Sequence, residues 1–226
     1  MLGVSLNQDD AQVADPETLC AALRFRPPGD PPAMPTLILA STSRYRKELL
    51  SRLGIPFICE APGVDEDAVK HDASLTPRQV AEVLAERKAR AVAGRHPDAV
   101  VIGSDQLAHL DGTVLGKPGT AAHAVAQLAR LSGRTHELVT AVCIVHPGGV
   151  ERCTDLAHLT MRPLDAAALD RYVAADQPLD CAGAYKLECR GIALFSAVSC
   201  ADHTAITGLP LIWTGSVLAK LGFAVP

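Results

Sequence analysis

Side chains that can bind phosphate occur at two places in this sequence. In the first, an apolar run at 37–40 leads into a hydroxyl-rich turn that begins with Ser41, and Arg46 follows in the first turns of a predicted helix. The free N–H groups at the start of a helix and an arginine both suit phosphate oxygens, although an ordinary capped helix with solvent-facing cations fits the same pattern. In the second, Lys117 stands between a glycine and a proline, in a loop short enough to fix a phosphate contact.

Two acids accompany these cations. The segment Gly-Ser-Asp-Gln at 103–106 follows an apolar run and places Asp105 at the carboxyl end of a predicted buried strand, where ligands gather in α/β sheets. Glu66 lies in an acidic loop after another short strand, a position that a solvated turn would also explain. The segment around Lys117 resembles a P-loop, but its glycines are one residue too close. Pro118 also stands where a magnesium-binding hydroxyl is needed, which excludes a Walker-type ATPase.

Strands and helices that would position these groups alternate from Thr36 onward, with hairpins between them. Thr-Pro-Arg-Gln at 76–79 combines an N-cap hydroxyl, a proline at the first helical position and a capping-box glutamine, so it predicts a helix start. Asp111-Gly112 predicts a tight hairpin turn. Further helices are predicted at 41–50, 120–131, 165–174 and 210–221, and strands at 37–40, 56–59, 99–103, 138–145 and 153–161. The pattern predicts an α/β fold with a mixed sheet flanked by helices.

Composition bounds the class of protein. The chain has 226 residues and a formal net charge of −4, which argues against a nucleic-acid partner but not against a small anionic ligand. Seven cysteines show no zinc-type spacing, and no apolar run approaches the ~18 residues of a membrane span. With no secretory signal at the N-terminus, a cytoplasmic protein is expected. Residues 1–33 are acidic and then proline-rich, which predicts a flexible extension before a domain at 34–226.

The order of the segments resembles the Maf family of nucleoside triphosphate pyrophosphatases. Between Met34 and Leu221 the matching segments read Leu-Ala-Ser-Thr-Ser, Val-Asp-Glu, Ala-Glu-Arg-Lys-Ala, Gly-Ser-Asp-Gln, Gly-Lys-Pro, Leu-Ser-Gly…His and Ala-Gly…Lys…Glu…Gly-Ile. The resemblance implies an inosine triphosphate pyrophosphatase-like fold with an elongated mixed β-sheet. It also implies pyrophosphate release from a nucleoside triphosphate, a divalent cation (Mg²⁺ or Mn²⁺) and a homodimer.

The resemblance further implies roles for the matching residues. Asp105 falls on the family's proton acceptor, a role that the sequence does not separate from that of metal ligand, and Glu66 would help to hold the cation. The other matching active-site positions are Ser41, Arg46, Lys88 and Lys117. The three cations among them suit phosphate oxygens and the charge of the departing pyrophosphate.

Three more positions separate subgroups of this family by nucleotide. Tyr45, Gln106 and Glu188 resemble the 7-methyl-GTP subgroup, and Lys186 is predicted to contact substrate from the same loop as Glu188. A carboxylate accepts from the N–H donors of guanine, and a cationic methylated base gains a cation–π contact with tyrosine. The structural alternatives are packing of Tyr45 between helices and pairing of Glu188 with Lys186 or Arg190. The alternative functions are hydrolysis of dTTP, UTP or a broader set of non-standard nucleotides, and non-catalytic binding in the regulation of cell division.

Overall fold

The structure, a computed structural model, describes residues 34–225, so the extension predicted for residues 1–33 lies outside the described residues. In chain order the strands and helices are β1 (Leu37–Leu39), α1 (Arg44–Ser51), β2 (Ile58–Cys59), α2 (Asp67–Lys70), α3 (Pro77–Ala93), β3 (Val100–Leu110), β4 (Thr113–Leu115), α4 (Ala121–Leu131), β5 (Thr135–His146), β6 (Gly149–Met161), α5 (Ala166–Asp176), β7 (Phe195–Ser199) and α6 (Leu211–Lys220). Short 3₁₀ turns lie at Ala182–Ala184, Arg190–Leu194 and His203–Thr207.

All seven of these strands join one sheet in the order β2-β1-β3-β5-β6-β7, with β4 paired to β3. β1 pairs in parallel with β2 and β3, and the other pairings are antiparallel. The prediction of a mixed sheet flanked by helices is therefore confirmed. Within residues 34–225, no helix is long and apolar enough to cross a membrane.

The predicted hairpin turn and capping box both form. Asp111 and Gly112 have φ angles of 50° and 80°, the left-handed pair that a two-residue turn between β3 and β4 requires. At the start of α3, Thr76 Oγ1 accepts the Gln79 backbone N–H, and the Gln79 side chain accepts the Thr76 backbone N–H. These contacts join residues that are close in sequence, so local residue types are enough to specify them.

The prediction that Asp105 ends its strand is wrong. β3 continues to Leu110, so Asp105 lies near its middle. One edge of β3 pairs with β5 along almost its whole length, which keeps the strand extended. On the other edge, β1 ends opposite Ile102 and β4 rejoins only at Ala108. That edge is therefore open beside Asp105, and the end of β1 makes room for a ligand there.

Helices cover both faces of the sheet. α3 packs against one face, on Leu107 of β3 and Val139 of β5. On the other face, α1 and α6 pack at the β1 end, and α4 and α5 pack farther along the sheet. Because side chains alternate along a strand, Asp105 faces α3, whereas its neighbours Ser104 and Gln106 face the opposite side.

Candidate active site

A cavity of about 680 Å³ opens where β1 and β4 leave the edge of β3 free. Its walls include the turn between β1 and α1, the loop between β4 and α4, and residues from the segment 180–188. Every site residue predicted from the sequence lines this cavity except Lys186. The structure thus brings together Ser41, Tyr45, Arg46, Glu66, Lys88, Asp105, Gln106, Lys117 and Glu188.

A buried lysine joins the two acids of the cavity. Lys88 Nζ lies 2.7 Å from Asp105 Oδ1 and 2.6 Å from Glu66 Oε1. Lys88 and Asp105 are only 6% and 5% exposed, so solvent screens their charges very little. α3 carries the lysine on its buried stripe, one helical turn after Leu84.

The close approach of α3 to β3 makes the contact between Lys88 and Asp105 possible. A Cβ atom at Gly103 would lie 2.3 Å from the Ala85 carbonyl oxygen and 2.5 Å from the Ala89 backbone nitrogen. Only glycine therefore fits between the strand and the helix at this point. The missing side chain at Gly103 sets the distance across which Lys88 reaches Asp105.

A second lysine, Lys70, belongs to the site although no motif marks it. Its Nζ lies 2.5 Å from Glu66 Oε2, so the two carboxylate oxygens of Glu66 are held by different lysines. Burial raises the pKa of Glu66, but the hydrogen bonds from Lys70 and Lys88 outweigh that effect and lower the pKa to about 2. The i,i+4 spacing of Glu66 and Lys70 is the sequence signal that could have identified this pair.

The two carboxylates fit an oxygen-coordinated divalent cation. Asp105 Oδ2 is buried and has no hydrogen-bond partner among the described residues, so it is a free acceptor at the cavity. Residues 34–225 contain no group of three or more His, Cys, Asp or Glu side chains that could hold a metal ion by themselves. Mg²⁺ is often held by only one or two carboxylates, with water and substrate phosphates as the other ligands. Asp105 and Glu66 match that smaller protein contribution.

Arg46 extends from α1 into the cavity. Its Nε atom donates to the Gly208 carbonyl at 3.0 Å, and its terminal nitrogens form no hydrogen bond within the described part of the chain. Burial lowers the pKa of Arg46, whereas the charges of Asp105 and Glu66 oppose that shift. An arginine keeps its proton under ordinary conditions, so the terminal N–H groups are available donors for a phosphate.

Ser41 and Lys117 line the cavity from two separate loops. Ser41 Oγ accepts the Ser43 backbone N–H at 3.1 Å, while Ser43, which directly precedes α1, makes no side-chain cap. The predicted hydroxyl turn therefore forms, but its hydrogen bond lies within the turn instead of capping the helix. Lys117 is exposed and has no ion-pair partner between residues 34 and 225, which leaves its charge available to an anion.

Tyr45 supplies an aromatic wall that already carries a cation. The guanidinium carbon of Arg44 lies 4.7 Å from the Tyr45 ring centroid, and Arg44 Nη2 donates to the Tyr45 hydroxyl at 2.8 Å. Burial raises the pKa of Tyr45 to about 12, so its hydroxyl stays protonated at neutral pH. The ring lines the cavity, and its contact with Arg44 shows that it can accept a cation over one face.

Glu188 and Lys186 make different contacts although they are close in sequence. Glu188 is exposed, lines the cavity, and forms no ion pair within residues 34–225, so the alternative pairing with Lys186 or Arg190 is absent there. Lys186 does not line this cavity but lines a second one, which shares Tyr45 and Glu188 with the first. Its ammonium donates to the carbonyls of Asp176 and Gln177 at 3.0 and 3.1 Å, at the C-terminal end of α5, where positive charge is favourable.

Tyr185, another residue of the cavity wall, rests on a buried histidine. His136 Nε2 lies 2.9 Å from the Tyr185 hydroxyl, and the two rings meet edge to face with centroids 5.4 Å apart. His136 is 2% exposed, and burial lowers its pKa to about 4. The histidine is therefore neutral at pH 7 and supports the wall through packing and one hydrogen bond.

Protonation of His136 should destabilise the fold as the pH falls. In the unfolded chain the side chain takes up a proton near its ordinary pKa of 6.5, but in the folded protein only near pH 4. The contribution of His136 to stability is complete above pH 6.5 and is lost as the pH falls through this interval, by about 3 kcal/mol in total. Urea unfolding at a series of pH values between neutrality and pH 4 measures the loss.

The variant His136→Gln is the comparison for this experiment. Glutamine does not titrate and retains polar atoms, so its unfolding free energy should vary less over the same pH range. Glu66 does not obscure the result, because its stabilising contribution is lost only as the pH falls from 4.5 towards about 2. If the free energy of unfolding varied equally with pH in the two proteins, the role given to His136 would be contradicted.

Comparison with solved structures gives partial overlaps. The Ham1 protein of Staphylococcus aureus aligns with a TM-score of 0.40 and 13% identity, over 56% of this chain and 71% of that protein. A nucleoside-triphosphatase, or dITP/XTP pyrophosphatase, of Mycobacterium abscessus aligns with a TM-score of 0.39 and 19% identity, over 57% and 75% of the two chains.

Sequence alignments with other proteins cover more of the chain. A 7-methyl-GTP pyrophosphatase of Xanthomonas campestris pv. campestris is 50% identical over 194 residues, which cover 85% of this chain and 100% of that protein. A protein of the same name from Bdellovibrio bacteriovorus is 46% identical over 182 residues, covering 80% and 95%. A family model described as Maf-like protein matches residues 36–221. With a match of that length and relatives of that identity, the chain belongs to the Maf-like protein family.

Proposed function

We propose that this chain hydrolyses 7-methyl-GTP to 7-methyl-GMP and pyrophosphate. The observation that carries the proposal is the buried Asp105, which keeps one carboxylate oxygen free in a cavity that also presents Arg46 and Lys117. Membership in the family supports the class of reaction. The names of the relatives from Xanthomonas and Bdellovibrio support the choice of base.

Asp105 is the residue that we assign to the attacking water. Lys88 holds Oδ1, so Oδ2 is the oxygen that can accept a proton. The water oxygen forms a bond to the α-phosphorus while its proton passes to Oδ2. The bond from the α-phosphorus to the bridging oxygen then breaks, and pyrophosphate leaves with that electron pair.

Arg46 and Lys117 are the residues that we assign to the phosphate groups, together with the hydroxyl of Ser41. Lys88 was expected to bind phosphate as well, but its ammonium lies between two carboxylates. We therefore assign Lys88 to holding those acids in place. Asp105 and Glu66 would hold Mg²⁺ or Mn²⁺, which supplies further neutralisation of phosphate charge when bound.

We assign recognition of the base to Tyr45, Gln106 and Glu188. Methylation at N7 gives guanine a positive charge, so the base can take the place of the Arg44 guanidinium over the Tyr45 ring. The carboxylate of Glu188 accepts hydrogen bonds and can pair with the N–H groups of guanine. The positive charge and the greater number of N–H donors distinguish 7-methyl-GTP from UTP and dTTP, whose pyrimidines are uncharged and carry a single N–H.

The proposal is tested by incubating the purified protein and Mg²⁺ with a panel of triphosphates that includes 7-methyl-GTP, GTP, dTTP and UTP. Monophosphate and pyrophosphate should form in equal amounts, fastest from 7-methyl-GTP. Orthophosphate as the product would contradict cleavage between the α and β phosphates. Faster hydrolysis of dTTP or UTP would make a pyrimidine the assigned base. No hydrolysis of any nucleotide would favour a non-catalytic binding protein.

Glu188→Gln should lower the preference for 7-methyl-GTP over UTP by roughly tenfold, because the charged acceptor is replaced by a neutral amide. The measurement is the ratio of kcat/KM for the two nucleotides. Glu151→Gln, which changes an exposed carboxylate on β6, is the matched control and should leave the ratio unchanged. An unaltered preference in Glu188→Gln would remove this residue from base recognition.

The homodimer and the cytoplasmic location remain predictions of the family resemblance and the composition. Analytical ultracentrifugation of the full chain tests the first, and cell fractionation tests the second.

A further inference from the structure

The side-chain amide of Gln106 is held in one orientation. Its Nε2 lies 2.9 Å from Thr140 Oγ1 and 2.8 and 3.0 Å from the carbonyl oxygens of Ala205 and Ile206. Three acceptors therefore share the two N–H groups of the amide. Reversing the amide would place its oxygen against two carbonyl oxygens, so the carbonyl of Gln106 must point away from them.

Thr140 connects Gln106 to the neighbouring loop. It lies directly opposite Gln106 in the register of β3 and β5, and it is 1% exposed. Its hydroxyl accepts from Gln106 Nε2 and donates to the Ala205 carbonyl at 2.8 Å. One hydroxyl thus fixes the amide and one of the carbonyls against which the amide is oriented, which a hydrocarbon side chain of the same shape cannot do.

The loop that supplies the carbonyls is itself anchored. Asp202 Oδ1 accepts the Thr204 N–H and hydroxyl at 2.8 and 2.6 Å, and Asp202 Oδ2 accepts the Ile212 N–H at 2.7 Å. Asp202 is 4% exposed, so these bonds are shielded from water. The 3₁₀ turn His203–Thr207 is thereby attached to the start of α6 and presents its carbonyls from a fixed position.

We propose that Thr140 is a positioning residue for base recognition: it holds the Gln106 amide so that only the carbonyl oxygen is offered to the base. This inference rests on the proposed function. Guanine presents N–H donors on its Watson–Crick edge, whereas uracil presents carbonyl acceptors on either side of its one N–H. A Gln106 amide that could rotate would adapt to either base. One held by Thr140, and by the Ala205 carbonyl that Thr140 fixes, accepts only from a donor.

The test compares Thr140→Val with Thr140→Ser. Valine keeps the shape and removes the hydroxyl, and should lower the ratio of kcat/KM for 7-methyl-GTP over UTP roughly tenfold, mainly through a higher KM for 7-methyl-GTP. Serine keeps the hydroxyl and should hold the ratio near that of the natural protein. Thr135→Val is the matched control and should not alter the ratio. It removes a hydroxyl from the same strand, and within residues 34–225 that hydroxyl forms a hydrogen bond only with Thr160.

An unchanged ratio in Thr140→Val would overturn the proposal, as would an equal loss in Thr140→Ser. If Thr140→Val does not fold, Thr140→Ala removes the same hydroxyl and carries the same test. Failure of the proposed function is seen separately, as absence of 7-methyl-GTP hydrolysis by the natural protein. In that case the dissociation constants of the same variants for GTP and UTP decide the role of Thr140, with the same expected shift in their ratio.

Discussion

Asp105→Asn should lower kcat for 7-methyl-GTP by about a thousandfold, the size expected for loss of a proton-accepting group. Asparagine has nearly the same shape, and its amide oxygen can still accept from Lys88, so the site should keep its geometry. An amide does not take a proton from water, however, and it is a weaker ligand for a divalent cation. Pyrophosphate release under saturating nucleotide measures the loss, and circular dichroism checks the fold.

The same variant separates the two roles that Asp105 can have. If the residue serves only as a metal ligand, raising the Mg²⁺ concentration should restore kcat in Asp105→Asn; a proton acceptor cannot be restored in this way. Asp111→Asn is the control at the far end of β3, where the residue has φ = 50° and asparagine is well tolerated. Turnover by Asp105→Asn close to that of Asp111→Asn would refute both roles.

Gly103→Ala should destabilise the protein by at least about 3 kcal/mol, because the new Cβ atom collides with the backbone of α3. The nearest atoms, the Ala85 oxygen and Ala89 nitrogen, would lie at 2.3 and 2.5 Å, and neither can move without the helix. Displacement of α3 also withdraws Lys88 from Asp105, so kcat should fall in whatever protein remains folded. Chemical denaturation and pyrophosphate release measure the two effects.

Gly94→Ala is the matched control for this change, since it adds the same methyl group at the C-terminal end of the same helix. Its φ is −61°, which alanine adopts readily, and a Cβ atom there would lie 3.4 Å from the Arg90 carbonyl oxygen, an ordinary contact. Its stability should remain close to that of the natural protein or rise slightly. If Gly103→Ala were as stable as Gly94→Ala, the separation of α3 and β3 would not be set by Gly103.

Much of the fold follows from signals that are local in sequence. The capping box at Thr76 and Gln79 and the turn at Asp111-Gly112 each complete their hydrogen bonds or backbone angles within four residues. Nearly all the site residues that the ordered motifs identified also line the cavity. A motif residue whose contacts lie close by in sequence can be recognised without knowledge of the rest of the chain.

The features that could not be predicted depend on partners distant in sequence. β3 extends beyond its apolar run because β5 supplies hydrogen bonds along its edge, and β5 lies some thirty residues later. Lys186 follows a family-like motif, yet its ammonium donates to the carbonyls at the end of α5, and the residue does not line the main cavity. The orientation of Gln106 depends on carbonyls about one hundred residues away. Such contacts exist only once the sheet and the loop at 203–207 are assembled.

The acids and lysines at the centre of the cavity form an electroneutral set. Asp105 and Glu66 contribute two negative charges, and Lys88 and Lys70 contribute two positive charges within hydrogen-bonding distance. A triphosphate therefore approaches a centre that does not repel it, although the chain as a whole carries a charge of −4. Arg46 and Lys117, which lie outside that set, supply the long-range attraction for the triphosphate. A departing pyrophosphate would therefore break its contacts with Arg46 and Lys117 only. The lysines that orient the reacting carboxylate would keep their own partners.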